Sequence, residues 1–177
     1  MSLVLLDPVA MGRVVGRMAH EIAERNPDTS SLCLVGLQRG GVALAHRISE
    51  VLSEIVGHAI PVGALDVSLY RDDLGRRVAP EIRPTEVPFD PTERNIVLVD
   101  DVLFTGRTTR AALDALSDMG RPRRIQLAVL VDRGHRELPI RADFTGKTVA
   151  TTLKQTIRVR LLEDGGDDTV CVEDLNS

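Results

Sequence analysis

Apolar positions along the chain come in short runs separated by stretches of helical period. Three runs read as buried strands: Ser31 to Leu37 (SLCLVGL), Ile96 to Val99 (IVLV) and Arg123 to Val131 (RRIQLAVLV). A continuous apolar run bounded by turn residues fits a parallel strand covered on both faces. Between the runs, Met11, Val15, Met18 and Ile22 make one helical face. Asp7-Pro8 opens that helix with a capping acid and a proline at the first helical position, and Asn26-Pro27-Asp28 ends it. Val42, Ala45, Ile48, Leu52 and Ile55 mark a second helix. Thr108, Ala112, Ala115, Leu116 and Met119 mark a third, ended by Gly120. Pro61 to Leu69 (PVGALDVSL) reads as a further strand. Arg83 to Phe89 reads as a returning strand broken by Pro84 and Pro88, at an edge or in a flap. The tail holds a short apolar piece around Asp143-Phe144. A hairpin follows, from Ile157 to Leu162 and from Thr169 to Val172 around Gly165-Gly166. Strands alternating with helices predict an α/β fold with a parallel sheet and right-handed crossovers, one domain over residues 1–177.

In such a sheet, ligands bind beyond the carboxyl ends of the strands. Three polar segments lie there. After the Ile96 strand come Asp100 and Asp101, then the spacer Val102-Leu103-Phe104, then Thr105-Gly106-Arg107-Thr108 entering a helix. A Gly/Thr turn at a helix start offers N–H groups, hydroxyls and a positive helix end to a phosphate. Two adjacent acids can accept from sugar hydroxyls or face a magnesium ion, so the stretch reads as a ribose-phosphate site. After the Ser31 strand comes Gln38-Arg39-Gly40-Gly41, a glycine turn with a charged fork. It reads as a plain tight turn or, paired with the later turn, as a second phosphate site. After the Arg123 strand comes Asp132-Arg133-Gly134-His135-Arg136. The charged loop Tyr70-Arg71-Asp72-Asp73 precedes the returning strand, where it would close over a reaction centre or serve as a solvent-exposed loop only.

Composition narrows the partners. With 43% hydrophobic and 27% charged residues the chain fits a globular class, and its net charge of −4 confines any polyanion-binding face to a local patch. Aromatics at 2%, without Trp, argue against a base-stacking platform for single-stranded nucleic acid. Arg13, Arg17 and His20 share the first helix's polar face with Glu24. By itself that face reads first as a solvated surface and second as part of a polyanion patch. Cys33 and Cys171 belong to no metal spacing, and Cys33 reads as a core thiol in a reduced cytoplasm. No apolar stretch reaches membrane-spanning length, and no signal-peptide layout is seen.

The stretch IVLVDDVLFTGRT resembles the phosphoribosyl pyrophosphate (PRPP) motif of type I phosphoribosyltransferases. Asp66 to Asp73, Val87-Pro88-Phe89, Thr92 to Asn95 and the run from Gly120 to Lys147 extend the resemblance to the PyrR family. Members of that family are pyrimidine operon attenuation proteins that are also uracil phosphoribosyltransferases. The resemblance implies a type I phosphoribosyltransferase-like parallel sheet flanked by helices, with a flexible hairpin loop and a small hood. It implies conversion of uracil and PRPP to UMP and pyrophosphate with magnesium. It also implies uridine-nucleotide-dependent binding to pyrimidine-operon mRNA by a homodimer or higher oligomer. Asp100 and Asp101 match the acids that hold the ribose hydroxyls, with magnesium nearby through PRPP rather than on a protein ligand set. Thr105 to Thr108 match the 5′-phosphate cradle, and Gln38 to Gly41 the pyrophosphate loop, where Arg39 would stabilise the departing charge. Tyr70 to Asp73 match the flexible loop. The Asp132 to Arg136 segment, with Asp132 and Arg133 foremost, falls near the uracil pocket. His20, Arg25, Arg141, Lys147 and Thr151 match RNA contacts, with Arg17 on the same helix face. Departures are the early Arg39 where the family often reads Thr-Arg-Gly, Gly16 where relatives carry Thr, and Ala150 where a proline is expected. The motif alone leaves open an alternative, a phosphoribosyltransferase for another base without RNA regulation. A nucleotide-binding module without catalysis also stands as an alternative, though three compatible loops weigh against it.

Overall fold

The computed structural model describes residues 2–71 and 82–175, so Asp72 and Asp73 of the expected loop lie outside the described residues. Five parallel strands form the central sheet in the order β3-β2-β4-β5-β6: β2 (Leu32–Leu37), β3 (Val62–Leu65), β4 (Asn95–Leu103), β5 (Arg124–Asp132) and β6 (Phe144–Thr148). β2 is buried throughout and β4 and β5 nearly so, which is why their sequences run apolar without alternation. Helices α1 (Pro8–Arg25) and α2 (Gly40–Val56) pack on one face, over Leu34, Val97, Val99, Ala128 and Leu130. Helix α3 (Arg107–Met119) covers the other, over Val35, Ile96, Leu98, Leu127 and Val129. Successive side chains of one strand thus feed two cores.

A second, antiparallel sheet of order β1-β8-β7 forms the hood: β1 (Ser2–Leu6), β7 (Gln155–Arg160) and β8 (Thr169–Asp174). Leu6, Ile157, Leu161 and Val170 join it to the α1–α2 core. The Arg47 guanidinium on α2 grips the Glu163 and Asp168 carboxylates of the β7–β8 connection. The tail hairpin is therefore present, with β1 as an unforeseen third strand.

Four expectations need correction. The strand expected over Pro61 to Leu69 stops at Leu65, because Asp66 Oδ1 accepts from Ser68 N at 2.8 Å and turns the chain into a 3-10 turn, Ser68–Tyr70. The returning strand over Arg83 to Phe89 is reduced to a single antiparallel bridge between Ala64 and Glu86, since Pro84 and Pro88 donate no ladder bonds. The piece at Asp143-Phe144 begins a full edge strand, β6, held to β5 by pairs such as Ala128 with Phe144 and Val131 with Lys147. Ile55, placed on the apolar side of α2, is 39% exposed near the helix end.

Candidate active site

β4 is the central strand, and it runs on through the two acids to Leu103. Asp100 is buried, and its Oδ1 accepts from Asp101 N at 2.9 Å; Asp101 Oδ1 accepts from Val102 N at 2.7 Å. Burial, then the neighbouring Asp101 charge, pushes the Asp100 carboxyl well above the usual carboxylate range. Burial also raises Asp101. The pair is thus a desolvated negative site that gains from a nearby cation or hydroxyl donor.

Two helices start beside it. α3 has Gly106 at its N-cap with φ +91°, which has no side chain to cap the helix, and Thr105 Oγ1 accepts only a long bond from Arg107 N at 3.4 Å. α2 has Arg39 at its N-cap, again without a side-chain cap. α1, by contrast, is capped by Asp7, whose Oδ1 accepts from Ala10 N at 2.8 Å. The contrast leaves two positive helix ends facing the acid pair. Glycine makes the approach possible. A Cβ on Gly41 would stand 2.2 Å from the Val99 carbonyl oxygen, and one on Gly36 2.5 Å from Val42 Cα. The Gln38–Arg39 peptide is cis.

The chain after β3 reaches over this edge. Arg71 Nη1 donates to Thr108 Oγ1 at 3.1 Å, and the Tyr70 hydroxyl donates to Asp118 Oδ2 at 2.9 Å. Gln38 Nε2 donates to the Pro84 carbonyl at 3.3 Å. Arg107 pairs with Glu137 at 2.7 Å, and Leu138 N bonds the Thr105 carbonyl at 3.2 Å, so the β5 exit loop buttresses the threonine turn.

Within that loop, Asp132 accepts from Gly134 N at 2.9 Å and pairs with Arg136, which holds its carboxyl below the usual range against the cost of burial. Arg136 Nη1 also donates to the Phe104 carbonyl at 2.7 Å. Arg133 is buried, its guanidinium 4.1 Å from the Phe104 ring centroid. The structure thus brings together Gln38 to Gly41, Asp100 to Thr108, Arg71 and the 132–136 loop. Tyr70 instead bonds Asp118 in the last turn of α3, away from the threonine turn. Sequence reasoning missed Glu137 and the buttressing role of Arg136; only the i,i+4 spacing of Asp132 and Arg136 hinted at the last.

Of the residues expected at RNA, Thr151 bonds Arg133 and His135 of the β5 exit loop, and the others lie elsewhere, on α1 and along the β6 edge. Arg25 and Arg141 line one cleft of about 300 Å³ with Ala142 and Asp143, and Arg25 stacks 5.6 Å from the Phe144 ring centroid. Arg17 donates to the Gly146 carbonyl on β6 and pairs with Glu21 at 2.7 Å. His20 Nδ1 donates to the Gly16 carbonyl at 2.9 Å. Lys147 sits on β6, and Thr151 follows in the segment toward the hood. Among the described residues, no helix is long and apolar enough to cross a membrane.

The phosphoribosyl transferase domain family matches residues 4–164. A bifunctional protein PyrR from Thermus aquaticus is 57% identical over 94% of this chain and 92% of its own. One from Roseiflexus sp. (strain RS-1) is 58% identical over 95% and 93%. Among solved structures, a hypoxanthine-guanine phosphoribosyltransferase from Bacillus anthracis superposes with a TM-score of 0.72 over 95% of both chains at 14% identity. A hypoxanthine phosphoribosyltransferase from Staphylococcus aureus gives 0.67 over 85% of this chain and 80% of its own, at 14% identity. At such identities the structures speak for a shared fold alone, whereas the family match and the close relatives reach further: this chain belongs to the phosphoribosyltransferase family, among the bifunctional PyrR proteins.

Proposed function

We propose that the protein, acting as one phosphoribosyltransferase unit over its 177 residues, transfers the phosphoribosyl group of PRPP to uracil, giving UMP and pyrophosphate. The observation that carries this reading is the meeting, at one sheet edge, of two helix N-termini whose N-cap residues make no side-chain cap with an acid pair of which Asp100 is buried. The 5′-phosphate takes the Thr105 to Thr108 turn, held by its N–H groups and hydroxyls at the start of α3. Val102, Leu103 and Phe104 space that cradle from the acids. The pyrophosphate lies against Gln38, Arg39, Gly40 and Gly41. There the Arg39 charge stabilises the group as it leaves, an effect of about 3–4 kcal/mol for a well-placed donor. Asp100 and Asp101 accept from the ribose hydroxyls and face the positive charge that grows on the sugar as the C1–O bond lengthens. Fixing both ends of PRPP aligns C1 with the incoming base nitrogen. Uracil sits at the β5 exit loop, nearest Asp132 and Arg133, and Tyr70 and Arg71 lead the loop that covers it.

Magnesium enters with PRPP. Asp100 and Asp101 offer hard oxygen donors in a site whose burial disfavours uncompensated negative charge. Among the described residues no set of three or more acidic, His or Cys side chains is placed to hold a metal ion. That donor set suits an ion carried mainly on phosphate oxygens and water near the acid pair. When bound, it neutralises charge on the departing pyrophosphate.

An assay with labelled uracil, PRPP and magnesium tests the reading. UMP and pyrophosphate should form in equal amounts; no UMP at any magnesium concentration overturns it. Hypoxanthine or another base outcompeting uracil would favour the alternative of a different base.

A second activity is supported by the gathering of Arg25 and Arg141 at one cleft, and of Arg17 and Lys147 along the α1–β6 seam. These residues, with His20 and Thr151, bind pyrimidine-operon leader mRNA when UMP or UTP occupies the nucleotide site, in a cytoplasmic homodimer or higher oligomer. Binding of the leader RNA with and without UMP tests it; equal affinity in both overturns nucleotide dependence.

A further inference from the structure

Phe104, at the end of the apolar spacer, touches two side chains of the β5 exit loop. The Arg133 guanidinium lies 4.1 Å from its ring centroid. The His135 ring meets it edge-on, with centroids 5.9 Å apart and planes at 71°. Both side chains then reach one further segment, the chain that leads from β6 into the start of β7. Arg133 Nε donates to Thr151 Oγ1 at 3.2 Å, and its Nη2 donates to the carbonyls of Thr152 at 3.1 Å and Gln155 at 2.7 Å. His135 Nε2 meets the Thr151 carbonyl at 2.7 Å; a carbonyl only accepts, so this nitrogen carries the proton. The Thr151 hydroxyl returns a bond to the Arg133 carbonyl at 3.1 Å. His135 keeps φ at +62°, a left-handed backbone uncommon outside glycine, and these contacts hold it there.

The joint is tight. Arg133 is 6% exposed, and its bonds run to backbone carbonyls and a hydroxyl that is itself engaged. It has the nucleotide turn on one side, through Phe104. On the other side it has the segment that continues from β6, the strand that carries Lys147 and receives the Arg17 guanidinium. A ligand shifts a conformation only through contacts that differ between the two states. A phosphate fixing Thr105 to Thr108 constrains the adjoining Phe104 ring, and that ring is packed on the two side chains that hold Thr151.

We propose that His135 and Arg133 are positioning residues that couple occupancy of the Phe104–Thr108 turn to the placement of residues 151–155, and thereby set how far a uridine nucleotide tightens RNA binding. The second clause rests on the two-function reading above; the first does not.

Two variants test it, His135→Ala and His135→Gln, the latter keeping an amide donor for the Thr151 carbonyl without the ring. Hydrogen exchange is followed on the full chain, with UMP absent and with UMP saturating for each variant. In the wild type, UMP should slow exchange in peptides covering 104–108 and 149–155. In both variants protection should persist at 104–108 and be lost at 149–155. RNA affinity is then compared with and without saturating UMP. The wild-type tightening, about 5- to 150-fold for a typical coupling, should fall to about 2-fold or less. A purely structural role would weaken RNA binding equally in both conditions and leave that ratio unchanged, which overturns the proposal. So does wild-type exchange at 149–155 that ignores UMP, or a His135→Ala chain with wild-type protection. A wild type that binds no RNA in either condition sinks the RNA reading and the second clause with it, while the exchange pattern still decides the first.

Discussion

Gly40 and Asp101 are in contact: a Cβ on Gly40 would lie 2.7 Å from Asp101 Oδ2 and 3.1 Å from its Cγ. The opening of α2 and an acid of the central strand therefore share one space. This gives a physical reason for the charged fork standing one position early, at Arg39. A side chain at 40 must push the carboxylate aside, whereas position 39 is exposed and has room.

Gly40→Ala and Gly41→Ala should separate by kind. The first meets a side chain that can rotate, so the fold survives and turnover drops as Asp101 is displaced, by about 10-fold for a loss near 1.4 kcal/mol. The second meets the Val99 carbonyl at 2.2 Å, and backbone in the middle of a sheet cannot step back. Its cost is about 3 kcal/mol or more, at the upper end of overpacking. Urea unfolding beside initial rates checks both, and a Gly41→Ala protein as stable as the wild type would refute the close-approach argument.

Asp100 carries a testable conflict between stability and activity. Its folded-state pKa is raised, first by burial and then by Asp101. The folded protein therefore holds this proton more tightly than the unfolded chain. The associated stability is present below the ordinary carboxylate range and is lost as pH rises from there through the raised value. Asp100→Asn keeps an oxygen for the Asp101 N–H but removes the charge. It should raise Tm at neutral and alkaline pH, with the gain vanishing near about pH 4. Turnover should fall about 100- to 1,000-fold. Calorimetry across pH decides; a Tm at or below wild type at alkaline pH contradicts the argument.

The hood depends on a different charge relationship. Arg47 bonds Glu163 and Asp168 together, holding both carboxyls below their usual range. For acids with depressed pKa the stability is present above the ordinary range and lost as pH falls. Arg47→Met leaves two acids facing each other without a cation. Because Glu163 is 44% exposed, the cost is discounted from the buried-pair range to about 1–3 kcal/mol. Exchange should quicken in β7 and β8 before it does in β2 or β4; uniform exchange across both sheets would show that the clamp does not hold the hood.

What could be read from the sequence follows from how each element is buried. β2, β4 and β5 were legible because strands covered on both faces have to be apolar throughout. β6 was nearly invisible: FTGKT buries only Phe144 fully, and its identity as a strand comes from pairing with β5. β1 failed the other way. Leu3 and Val4 are apolar but 62% and 57% exposed, at a sheet edge far in sequence from their partner β8. The ribose-phosphate stretch was local and therefore readable. The Arg47 clamp and the His135–Thr151 contact span long sequence separations without any local pattern to announce them.

The basic residues on α1 and β6 should not behave alike, and their contacts say which will. Arg17 donates to the Gly146 carbonyl and pairs with Glu21, so its guanidinium closes the seam between α1 and the sheet edge. Arg17→Ala should therefore lower stability, by about 1 kcal/mol for lost bonds from a charged donor at an exposed site. It should lower the salt dependence of RNA binding less than Arg141→Ala does, because the Arg17 charge is already shared with the Gly146 carbonyl and Glu21. Arg141 is exposed on the cleft it shares with Arg25. If it meets phosphate there, Arg141→Ala leaves Tm within about 1–2 °C and lowers the slope of log affinity against log salt by about 1. The weakening should be of similar size for leader RNAs of different sequence, because a phosphate contact carries no base information. Titrations at four salt concentrations, run beside thermal unfolding of both variants, decide between the assignments. A salt slope unchanged in Arg141→Ala but reduced in Arg17→Ala would move the RNA path from the Arg25–Arg141 cleft to the α1–β6 seam.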